Sequence, residues 1–172
     1  MRAARAVDYV VSSPARKLDI REANEARILR AAEKTFALHG FRGATTEAIA
    51  SEAGLPKANV HYYFKTKEDI AAAVIEQYRV HMAGIAQVAE KRPTARERIL
   101  SMLDSLACDC DAIAHSGCPM GPLCVEFGKR DTALREEANR LLLRMIEWVE
   151  RQFAGMARAD ARALAIQLVS TV

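Results

Sequence analysis

The sequence predicts an all-α chain in two helical parts, and three observations predict it. Gly and Pro are scarce, 8 and 5 of 172 residues, so few positions interrupt a helix. Apolar residues return every three or four positions, and no run alternates as a half-buried strand does; Tyr9-Val10-Val11 is too short to matter. Helix-capping signals recur along the chain. With 51% hydrophobic against 27% charged residues, the chain can build a core, which excludes a disordered tail.

Residues 1–19 are expected as a flexible, mildly basic arm, because they lack helical periodicity and contain Ser12-Ser13-Pro14. A first helix follows from about Ile20 to Leu38, with Ile28, Leu29, Ala32 and Phe36 on one face and Gly40 as the left-handed residue beyond its end. Thr45 caps a short helix carrying Ile49, Ala50 and Ala53, and Gly54 stops it. Pro56 suits the first turn of a third helix, where its missing N–H is harmless; that helix ends near Phe64. Thr66-Lys67-Glu68-Asp69 reads as a capping box. It opens a fourth helix through Ile70, Val74, Tyr78, Met82 and Ile85 to about Lys91.

Pro93 and a second box, Thr94-Ala95-Arg96-Glu97, restart the pattern as a fifth helix to about Ala114. Residues 116–128 form a segment punctuated by Gly and Pro that holds one short helix. Asp131 caps a long helix through Leu134, Leu141, Met145 and Trp148 to about Ala154, and Asp160 opens a last one. That last helix is still apolar at Leu164, Ile166, Leu168 and Val169, without a C-cap, when the sequence stops at Val172. The expectation is a C-terminus cut short, with weak self-association as its consequence.

Charge is uneven. Residues 1–67 hold twelve Lys and Arg against seven Asp and Glu, whereas 68–172 hold thirteen against fifteen. The first part is built to meet a polyanion and the second is not. No stretch reaches the roughly 18 uncharged apolar residues of a membrane helix, and Arg2, Arg5 and Asp8 make a poor signal peptide. Four cysteines confined to Cys108–Cys124 are no disulfide framework, so a reduced cytoplasmic protein is the expectation.

Thr45 to Phe64 has the logic of a helix-turn-helix: a capped short helix, a glycine turn and a second short helix. At about 100° per residue, Lys57, Ala58, His61 and Tyr62 share one side of the second helix, while Val60 and Phe64 lie opposite, beside Tyr63. Ala58 lets the backbone approach a groove, Lys57 reaches a guanine edge or a phosphate, and His61 donates or accepts at a base. Thr46, Tyr62, Tyr63 and Lys67 suit phosphate oxygens. Taken singly, the tyrosines would be packing residues and the lysines a solvated face; their joint spacing favours DNA.

Over residues 24–76 the chain resembles the DNA-binding domain of TetR-family transcriptional regulators. The resemblance rests on Phe36, His39-Gly40-Phe41, Thr45-Thr46, Ile49-Ala50, Ala53-Gly54 and the run from Val60 to Glu68. Gly117-Cys118-Pro119-Met120-Gly121-Pro122-Leu123, Glu126 and Asp131-Thr132-Ala133-Leu134-Arg135 look like one branch of that family. The resemblance implies a helix-turn-helix domain over 20–67 and a ligand-binding and dimerisation domain over 68–172. It also implies a repressor that binds a palindromic operator as a homodimer, with a small-molecule inducer shifting a connecting helix at about Thr66–Lys91. Members pair through two C-terminal helices per subunit, of which one opens here, near Asp160. Two positions depart from the pattern: the family often has an aromatic where His61 stands and Ser or Thr where Pro56 stands. Glu47 stands where some members read bases with a basic residue; a carboxylate would accept from cytosine or repel phosphate, so no base reading is carried over to it.

Cys108, Cys110, Cys118 and Cys124, with His115 among them, raise three readings. A soft-ligand metal site lacks a tight pair, since Cys108 and Cys110 would point about 200° apart on a helix. A thiol sensor would place the Cys118 thiolate at a helix start. Plain packing makes these small residues part of a core or ligand cavity, with Met102, Cys118, Met120, Phe127, Met145 and Trp148 as its candidate lining. Packing is the preferred reading, with no metal and no cofactor expected. No nucleophile elbow, Walker loop or zincin motif occurs, so no enzyme is expected. A helical adaptor without operator specificity is the rival class.

Overall fold

The computed structural model describes residues 14–108, 126 and 132–171. Among them are seven helices: α1 (Pro14–Gly43), α2 (Thr46–Ala53), α3 (Lys57–Tyr63), α4 (Lys67–Ala89), α5 (Ala95–Cys108), α6 (Thr132–Gly155) and α7 (Ala161–Thr171). The described residues include no strand. No helix among them is long and apolar enough to cross a membrane.

Two apolar cores organise them. Ile28, Phe36, Ile49, Val60, Ile70 and Val74, all fully buried, bind α1 to α4 into one unit, which Leu134, Ala138 and Leu141 of α6 also enter. Ile85, Ala89, Met102, Trp148, Val149 and Ala165 form the second core, between α4, α5, α6 and α7. Helix α4 therefore belongs to both: its first turns carry Ile70, Ala71, Val74 and Ile75, and its last carry Ile85 and Ala89. The division expected at 67–68 marks where α4 starts, and packing runs across it.

Four local expectations need correction. Residues 14–19, assigned to the arm, are the start of α1, which begins at Pro14 and not near Ile20. Proline is at home in a first helical turn, so Pro14 starts the helix rather than delaying it. Gly40 does have a positive φ of 67°, but its ψ of 173° is extended rather than left-handed helical. That region is open essentially to Gly alone, and it kinks α1 before a final turn at Phe41–Gly43. Pro56 lies just outside α3, at its N-cap with φ −58° and ψ 142° and no side-chain cap. Helix α4 ends at Ala89, two residues short of the expected Lys91.

Both capping boxes form. Thr66 Oγ1 accepts from the Asp69 N–H while the Asp69 carboxylate accepts from Thr66 N–H. Thr94 and Glu97 exchange the same pair of bonds, each 3.2 Å long. Helix α6 ends in a tight reversal in which Arg158 N–H reaches Phe153 O and Ala157 N–H reaches Ala154 O, with Ala157 at φ 58°. The chain then folds back, and α7 packs Ala165, Leu168 and Val169 against the second core.

Candidate nucleic-acid interface

The pair α2–α3 is shaped by its own turn and braced from behind by α1. Thr45 Oγ1 accepts from Ala48 N–H at 3.1 Å, satisfying a donor that the first turn of α2 leaves unpaired. Gly54, at φ 61° and ψ 37°, closes α2 in the left-handed conformation, and the N–H groups of Gly54 and Leu55 return to Ser51 and Ala50 carbonyls. From α1, the Arg27 guanidinium donates to Ala53 O at 2.8 Å and Gly54 O at 3.3 Å, covering carbonyls at the end of α2. Lys34 of α1 pairs with Glu52 of α2 at 2.7 Å. Asn24 Nδ2 donates to the Tyr63 hydroxyl at 3.4 Å.

On α3 the expected division of faces is present. Val60 is wholly buried and Phe64, just past the helix, is buried with it. Lys57, Ala58, His61 and Tyr62 are all exposed, Tyr62 at 67%. Tyr62 meets Tyr63 edge to face with ring centroids 5.3 Å apart, so the half-buried ring positions the exposed one. The Lys65 ammonium donates to His61 O at 3.0 Å and caps the end of α3. Thr46 is half-buried at the first position of α2.

Three of the sequence-derived contacts take a different form. Tyr63 is half-buried against the N-terminal core, and its hydroxyl already accepts from Asn24. Lys57 forms an ion pair with Glu47 of α2, on the exposed side of both helices. The hydrogen bond from Lys57 holds the Glu47 carboxyl below the usual carboxylate range. Lys67 was expected to point its ammonium at a phosphate. The structure turns it inward, onto Phe41 O at 2.6 Å and Ala44 O at 2.9 Å, with the Phe41 ring centroid 4.4 Å away. Those carbonyls and that ring lie at the kinked end of α1, which only folding brings to the start of α4. Sequence reasoning missed Asn24 and Arg27 for the same reason: their partners lie 39 and 26 residues away.

The candidate ligand lining is brought together in part. Met102, Met145 and Trp148 line one cavity of about 270 Å³ with Met82, Ile85 and Leu141, between α4, α5 and α6. Trp148 Nε1 donates to Glu90 at 2.9 Å, and Arg98 holds that carboxylate at 3.2 Å, so the indole is fixed in place. Arg79, Arg144 and Arg151 also line the cavity, with one carboxylate, Glu147. Cys118, Met120 and Phe127 lie outside the described residues, as do Cys110, His115 and Cys124. The metal and thiol readings therefore stand where the sequence left them.

Comparison with known proteins accords with this geometry. The sequence profile "Bacterial regulatory proteins, tetR family" matches residues 28–74, which span the second half of α1 through the first turns of α4. The HTH-type transcriptional regulator LmrA of Bacillus subtilis is 26% identical over 140 residues, covering 80% of this chain and 74% of LmrA. RutR of Escherichia coli is 46% identical over 55 residues, a match spanning 32% of this chain and 26% of RutR. A TetR-family regulator from Agrobacterium tumefaciens superposes with a TM-score of 0.75 at 22% identity, covering 88% of this chain and 84% of its own. One from Legionella pneumophila gives 0.73 at 23% identity, covering 84% and 80%. At such identity the two structures speak for the fold alone.

Proposed function

We propose that this chain, whose residues 28–74 match the tetR-family profile, is a TetR-family transcriptional regulator: a ligand-responsive repressor that binds a palindromic operator as a homodimer in the cytoplasm. The observation that carries the DNA reading is the face of α3. Lys57, Ala58, His61 and Tyr62 are exposed together while Val60 and Phe64 anchor the helix behind them. A helix so held, with a small residue in its first turn, fits a major groove and presents donors to base edges. Thr46 and Tyr62 supply hydroxyls to phosphates, and Lys57 contacts DNA once it leaves Glu47.

Support for a ligand comes from the cavity at Met102, Met145 and Trp148. Its apolar floor suits a hydrocarbon or aromatic body; Arg79 is engaged by Glu76, and Arg144 and Arg151 at the rim favour an anionic group on the inducer. Because α4 contributes to both cores, a ligand that repacks Met82 and Ile85 shifts the helix that carries the DNA-binding unit. Leu143 on α6 and Ile166 on α7 are exposed apolar side chains on the two C-terminal helices, and they support pairing there.

Selection of bound duplexes from random DNA tests the proposal, followed by a screen for small molecules that release the selected site. A palindromic consensus is expected, bound by a dimer and released by an apolar anion. Selection that enriches no sequence would overturn the operator reading and favour the adaptor.

A further inference from the structure

One peptide unit in the final turn of α1, just past the Gly40 kink, is held at both ends by opposite charges. Its carbonyl, Phe41 O, accepts from the Lys67 ammonium at 2.6 Å. Its N–H, on Arg42, donates to the Glu126 carboxylate at 2.7 Å. The cation thus meets the negative end of the peptide dipole and the anion its positive end, and both bonds are as short as charge-assisted bonds are. Gly40 makes room for this: a β-carbon there would overlap the Glu126 carboxylate, and its φ of 67° admits little besides Gly. Lys67 opens α4, whereas Glu126 comes from the stretch between α5 and α6, 84 residues along the chain from Arg42. The clasp therefore ties the DNA-binding unit to the C-terminal part at a point other than α4.

We infer that Glu126 is a positioning residue for operator binding: through the Phe41–Arg42 peptide it sets how the DNA-binding unit sits on the C-terminal part. The turn it grips runs directly into Thr45, the N-cap of α2, so holding the turn holds the approach of α2 and α3 to DNA. Helix α4 and the apolar side chains Leu134, Ala138 and Leu141 of α6 already join the unit to the C-terminal part; apolar contacts let it slide and tilt, and the directional bond from Glu126 narrows that freedom. In a dimer the swing of each unit governs the separation of the two recognition helices. The inference rests on the two-half-site reading proposed above.

The test compares Glu126→Ala with the wild-type full chain on a selected palindrome and on a duplex holding one half-site. The variant is expected to lose about tenfold in affinity for the palindrome, as fewer dimers hold both units in register, and less than about twofold for the half-site. Glu126→Gln, which retains an acceptor for the Arg42 N–H, is expected to recover most of the difference. Equal losses on both duplexes would make Glu126 merely structural, and no loss on either would make it idle; each overturns the inference. If the wild type itself gains nothing from a second half-site, the dimer reading fails instead. The clasp is then decided by amide exchange, where Glu126→Ala should speed exchange at Arg42 and an unchanged rate would refute it.

Discussion

At the scale of single residues, charge placement decides which side chains are free to meet DNA. Lys57 and Glu47 neutralise each other on the exposed face. Releasing the lysine with Glu47→Gln is expected to steepen the fall of log K with log salt by about one unit on every sequence, as one more phosphate is neutralised. A binding series in rising salt checks this. His61 is exposed on the same face of α3, and His61→Ala is expected to relax one or two base positions in a repeated selection, at roughly 1–3 kcal/mol for the preferred base. Lys67 behaves otherwise. Its ammonium serves two carbonyls and a ring, so Lys67→Ala is expected to cost about 1–3 kcal/mol of folding stability with little change in salt slope. Thermal melting and the salt series together separate the two roles. Glu33 of α1 reports on pH: burial pushes its carboxyl above the usual range, with His81 and Arg30 pulling it partly back. The folded chain then holds this proton more tightly than the unfolded one, so the group favours folding at low pH and loses that contribution as pH rises above the usual carboxylate range. Glu33→Gln is accordingly expected to raise the melting temperature at pH 7 and leave it nearly unchanged near pH 4.

At the scale of elements, the ends of the helices carry as much of the site as their middles. Helix α2 has eight residues, too few to persist on its own, and its start depends on Thr45 and its stop on Gly54. Thr45→Ala is expected to cost about 1 kcal/mol, read as a lower denaturation midpoint, and to weaken DNA binding because α3 is seated by the turn that follows. The reversal after α6 uses the same hydrogen-bond pattern as the end of α2 but places Ala157 at positive φ where Gly54 stands in the other. An L-residue there strains against its own β-carbon. Ala157→Gly is expected to stabilise the chain by up to about 1 kcal/mol without touching DNA affinity.

At the scale of the whole molecule, α4 is the shared beam: its N-terminal turns complete the DNA-binding core and its C-terminal turns wall the cavity. Filling that cavity should act on ligand response and leave the α3 face intact. Met145→Trp is expected to abolish release by the inducer while operator affinity stays within about twofold of wild type, which a gel-shift titration with and without inducer would read. A variant that releases normally would place the ligand elsewhere.

Much of this architecture was legible in the sequence because its signals are local. A cap bonds three residues ahead, and an amphipathic stripe repeats every three or four. Thr45, Gly54, Thr66–Asp69 and Thr94–Glu97 therefore marked their helix ends correctly, and the spacing of Lys57, Ala58, His61 and Tyr62 against Val60 and Phe64 foretold both faces of α3. The tertiary structure alone decided the partners of long side chains. Lys67 turned inward, Lys57 paired with Glu47, Arg27 covered the end of α2, and Glu126 reached Arg42 across the chain. A flexible charged side chain takes whichever opposite charge or carbonyl folding brings within a few ångströms, and no pattern of neighbours along the chain records that distance.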